Sequence, residues 1–122
     1  MHLFSACLNA CIILVNQAGI NQKQTGFAAL TVFMGVLEGS QGEYVVSADL
    51  RYANSENAKI SFGVIIDLVC DKDLNMLHLE TQSTFGDDIF DVVDALAHPQ
   101  VQEQLKHMVG YQIKINQCQS PN

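Results

Sequence analysis

The run from residue 44 to residue 82 decides the fold: YVVSADLRY (44–52), ANSENA (53–58), KISFGVIIDLVC (59–70), DKDLN (71–75) and MLHLETQ (76–82). In the first stretch Tyr44, Val46, Ala48, Leu50 and Tyr52 fall on one side, against Val45, Ser47, Asp49 and Arg51. In the second, Ile60, Phe62, Val64, Ile66 and Leu68 oppose Lys59, Ser61, Gly63, Ile65, Asp67 and Val69. In the third, Leu77, Leu79 and Thr81 oppose Met76, His78, Glu80 and Gln82. A period of two is the pleat of a strand, and an apolar side against a mixed side is how antiparallel sheets read. Turns rich in Asn, Asp and Ser separate the three. A meander in which Arg51 stands opposite Ser61, and Asp67 opposite His78, brings all the apolar faces together. A slip of one residue would turn a whole set of side chains over.

Upstream, Phe27–Leu37 (FAALTVFMGVL) is apolar without clear periodicity. The GSQG turn that follows it favours an adjoining strand over a helix. Leu3–Val15 is nearly continuous apolar sequence with Asn9 in its middle. It reads as a helix that must be covered on more than one side, with Gly19 as its C-cap. The stretch is shorter than the roughly 20 residues of a membrane span. It also lacks the basic flank of a secretory signal.

Downstream, Ser83 or Thr84 can cap a helix with Asp87 and Asp88 in its first turn. Ile89, Phe90, Val92, Val93 and Leu96 form its inward side. His98-Pro99 ends it, and Pro99 suits the first position of a second short helix. That helix turns Val101, Leu105 and Met108 inward and ends at Gly110. Tyr111–Ile115 then reads as a last strand. The expected fold is a single α+β domain over residues 1–122. It has an antiparallel sheet of four or five strands, an N-terminal helix and two short C-terminal helices packed on it.

Of 122 residues, 48% are hydrophobic and 16% charged, which excludes a disordered chain. Thirteen acids against six bases give a formal charge of −7. That balance repels phosphate backbones and anionic lipid, so neither nucleic acid nor membrane is an expected partner. Cys7, Cys11, Cys70 and Cys118 contain no CxxC pair. Cys7 and Cys11, four apart on one side of a helix, read as small buried core residues, and so few cysteines favour a reducing compartment, the cytoplasm.

Asp71, Asp73 and Asn75 have the spacing of a calcium loop. However, Met76 stands where such loops need glycine and Gln82 where they need a bidentate glutamate. A hairpin turn is expected there, and no metal or cofactor. Asp87, Asp88, Asp91 and Asp94 read as a solvated acidic stripe. No glycine-rich phosphate loop and no nucleophile elbow occur.

Two constellations remain, both on the mixed side of the meander. Asp67, His78 and Glu80 place carboxylates beside an imidazole, the pairing a general base needs. They would supply a small-molecule-binding domain or minor enzyme with the polar groups of a pocket between helix and sheet. Val45, Ile65, Val69 and Met76 make that same side half apolar, and patches of this kind are seldom left bare on a monomer. They point to a non-catalytic homodimer that binds another protein. Secretion chaperones and toxin-neutralising immunity proteins share this size, acidity and class, which is an analogy of bulk description alone.

Overall fold

The computed structural model describes residues 3–19, 26–38, 44–50, 59–86 and 92–117. The elements are α1 (Leu3–Gln17), β1 (Phe27–Glu38), β2 (Tyr44–Ser47), β3 (Lys59–Asp71), β4 (Met76–Gly86), α2 (Val92–Ala97) and α3 (Pro99–Gln117). The class is α+β, as the patterning implied. Three long strands and the four-residue β2 form one sheet in the order β2-β1-β3-β4.

That order corrects the meander. β2 pairs antiparallel with β1, from Gly35 opposite Ser47 to Glu38 opposite Tyr44, so β1 separates β2 from β3. The chain leaves the ladder after Ser47, and the Leu50 amide then bonds the Phe33 carbonyl. The expected Arg51–Ser61 pairing falls on Arg51, which lies outside the described residues. β1 runs antiparallel to β3, since Thr31 meets Asp67 while Gly35 meets Gly63. That last meeting requires glycine, because a Cβ on Gly35 would stand 2.2 Å from the Phe62 carbonyl oxygen.

The DKDLN turn forms, but its centre differs from the expected one. The Asp71 amide donates to the Asn75 carbonyl and the Leu74 amide to the Asp71 carbonyl. This centres the turn on Asp73, not between Lys72 and Asp73. Leu74 takes the left-handed conformation (φ 63°) that such a bulged turn demands.

Two further expectations are corrected. β4 runs on to Gly86, so Ser83 and Thr84 lie in a strand and cap no helix, and α2 spans Val92–Ala97. Asp87, Asp88, Ile89, Phe90 and Asp91 lie outside the described residues. Tyr111–Ile115 is no strand: α3 passes through Gly110 and ends at Gln117. Its buried side, Val101, Leu105, Val109, Gln112, Ile113 and Asn116, continues at helical spacing across the glycine. Pro99 does open α3, and the Gln100 amide donates to His98 Nδ1 beside it.

The chain divides into two compact units. The first comprises Met1–Thr31, Asp67–Glu80 and Lys106–Asn122, and the second Val32–Ile66 and Thr81–Leu105. In the second unit the core is aliphatic: Val32, Met34, Val64, Ile66, Ala95, Val101 and Leu105 are fully buried. The Gln104 Oε1 accepts the Ala48 amide at 2.7 Å where the chain leaves β2. In the first unit the interior is partly polar, and that unit holds the site.

Candidate functional site

α1 is folded nearly inside out. Its buried residues are Ser5, Asn9 and Ile12, while Leu3 is 74% and Leu14 64% exposed. Cys7, Ala10, Cys11 and Val15 are exposed with them. The cysteines are therefore not core residues, as the sequence suggested; both thiols are free and accessible.

Hydrogen bonding explains the inversion. β2 pairs residues 35–38 of β1, and among the described residues no strand lies beside Ala29 on that side. Asn9 takes the place of one. Its Oδ1 accepts the Ala29 amide at 3.0 Å and its Nδ2 donates to the Ala29 carbonyl at 2.9 Å. Asn116 Nδ2 donates to the same Asn9 oxygen at 3.1 Å, and Gln112 Nε2 donates to Asn116 Oδ1 at 3.0 Å. One turn earlier on α1, Ser5 Oγ lies 3.3 Å from the Thr31 hydroxyl, which donates to Asp67 Oδ1. Buried polar groups need partners. The helix satisfies them by turning its amide and hydroxyl inward, and its apolar side is left facing out.

The Asp67–His78–Glu80 constellation is placed as follows. Asp67 is buried and engaged by Thr31. His78 and Glu80 are exposed on β4, with Nε2 to Oε2 at 3.6 Å. The ring of Phe4 stacks on His78 at 5.4 Å, which brings the first turn of α1 against β4. A cleft of about 790 Å³ in this unit is lined by Phe27, Asp71, Lys72, Leu77, Ile113 and Gln117, with no member of the constellation among them. The Asp71 carboxylate beside it is held below its ordinary value, first by the Asn75 side-chain amide and then by the Asn75 backbone amide. Those bonds knit the turn. No group of three or more His, Cys, Asp or Glu suited to a metal occurs among the described residues.

Of the half-apolar set, Val69 is 4% exposed and Met76 38%. Ile65 is half-buried, and the side chain of Val45 lies outside the described residues. Most exposed large apolar side chains among the described residues lie instead on α1 and on β4, where Leu77 is 66% exposed, with Val93 and Tyr111 besides. Every described side chain from Asn75 to Thr84 is exposed. β4 also ends the strand order, so no strand lies on its outer side among the described residues. Sequence patterning missed both surfaces, since it assigns apolar residues to the interior. The signal available was Asn9 in an otherwise apolar helix. No described helix is long and apolar enough to cross a membrane. Comparison with protein-family models, with curated proteins and with solved structures finds no match for this chain.

Proposed function

We propose that this chain is a non-catalytic protein-interaction module that works as a homodimer and holds another protein, in the manner of small chaperones and immunity proteins. The observation that carries the reading is the outward apolar stripe of α1. Leu3, Cys7, Ala10 and Leu14 recur at spacings of four, three and four, the seam of one helix laid against another. A soluble monomer seldom leaves such a seam in water.

A second copy is the natural occupant of part of this surface, because a twofold axis makes any patch beside it its own complement. α1 carries no charged residue, and the chain as a whole carries −7. Both features speak against an anionic membrane, which selects helices with a basic polar side. Exposed thiols at Cys7 and Cys11 suit a reducing compartment, which supports a cytoplasmic setting.

Sedimentation equilibrium tests the reading. The expected mass at micromolar loading is twice that of the chain; a single monomeric species across that range overturns the homodimer. Replacing Leu14 with Lys is expected to abolish capture of the partner while leaving the far-ultraviolet circular dichroism unchanged.

A further inference from the structure

Resting on the homodimer reading, we infer that two copies join through β4, edge to edge and antiparallel, in a register centred on Leu79. An edge strand presents a row of backbone donors and acceptors that another strand can take up. Natural edges are blunted by lysine, proline, bulges or a covering element. Between Met76 and Gly86 there is no lysine and no proline, and the only charged side chain is Glu80. No strand lies beyond β4 among the described residues, and its described side chains are exposed.

Charge selects both the occupant and the register. In a pair related by a twofold axis normal to the sheet, a residue and its opposite number share a side. They are therefore placed symmetrically about the central residue. Centring on Glu80 sets two carboxylates face to face, which is unfavourable. Centring on His78 leaves Glu80 opposite Met76, and centring on Thr81 leaves it opposite Gln82 and His78 opposite Thr84. Centring on Leu79 puts His78 opposite Glu80 twice, Leu79 against its own mate, Leu77 opposite Thr81 and Met76 opposite Gln82. The strand is then self-complementary, with an apolar centre between two imidazole–carboxylate pairs. His78 and Glu80 already lie 3.6 Å apart along the strand, so the mate completes a two-by-two block in which imidazole and carboxylate alternate. The Phe4–His78 stack holds the start of α1 beside the same strand. The first turn of α1 in each copy thus lies beside the strand that carries the dyad.

The experiment is sedimentation equilibrium on the full chain and on surface variants, each checked by circular dichroism. Leu79→Lys sets two like charges on the dyad and is expected to give monomer with an unchanged spectrum. His78→Glu sets carboxylates opposite one another and is expected to weaken the dimer about ten-fold, and adding Glu80→His to recover it, since the swap restores the imidazole–carboxylate pairing in the same register. With Cys7 and Cys11 replaced by Ser, Leu79→Cys is expected to cross-link two copies under mild oxidation. Residues directly opposite lie roughly 4.5–5.5 Å apart, within disulfide reach. Leu77→Cys is expected to stay single, because its opposite is Thr81.

A parent that is monomeric overturns the homodimer itself. A dimer that survives Leu79→Lys overturns the β4 interface and leaves the homodimer standing. Failure of the charge swap to recover association, or equal cross-linking at 77 and 79, overturns the register.

Discussion

Asn9 is the residue on which most of the first unit's polar accounts converge. It closes two backbone bonds to Ala29 and one side-chain bond to Asn116, and it is buried. Asn9→Ala would leave a buried amide, a buried carbonyl and the Asn116 donor unanswered. Each such orphan costs about 1–3 kcal/mol, and the expected loss in a urea titration is about 3 kcal/mol. Cys70 offers a second residue-scale test. Burial, with help from the Asp71 charge, pushes its thiol up from 9.0 to about 11. Because the folded value is raised, the stability tied to this proton is complete below pH 9.0 and lost as pH rises through about 11. Iodoacetamide near neutral pH is expected to label Cys7 and Cys11 and to spare Cys70 until the chain unfolds, as read by peptide mass spectrometry.

At the scale of the element, α3 carries a removable defect. Gly110 lies inside a 19-residue helix, and a Cβ there would meet nothing within 4 Å. Gly110→Ala is expected to raise stability by about 0.5–1 kcal/mol, because glycine gives up more backbone freedom in a helix than alanine. The same glycine shows why part of the fold was legible and part was not. Read as punctuation, it ends a helix; read with Val101, Leu105, Val109, Ile113 and Asn116, it sits within one continuous helical spacing. β1, β3, the DKDLN turn, Pro99 and the Gly19 cap followed from local chemistry, and Gly19 does take the left-handed conformation (φ 71°). Strand order was not legible. Alternation says which side a residue faces and nothing about which strand lies beside it, so the place of β1 between β2 and β3 needed the ladder to β2 and the close approach of Gly35 to Gly63. α1 was legible as a helix but not in its orientation, because the side it buries is chosen by what Ala29 and Asn116 need from Asn9.

For the whole molecule, charge sets the conditions under which copies meet. Each chain carries −7, so two copies repel over distances comparable to the Debye length, about 10 Å at 0.1 M salt. In the proposed dimer the His78–Glu80 pairs act only at contact. Raising sodium chloride from low to physiological ionic strength is therefore expected to tighten the dimer several-fold, as followed by sedimentation velocity. An interface ruled by its ion pairs would loosen instead.

The clasp of Asn9 on Ala29 bears on how far such association can run. A sheet with two unguarded margins invites polymerisation, each newcomer offering a fresh margin to the next. Here a carboxamide plugs the stretch of β1 at Ala29, so a newcomer's strand finds those backbone groups already taken. In the proposed dimer β4 of each copy is spent in the same way, so neither of these two stretches is left to seed a fibre.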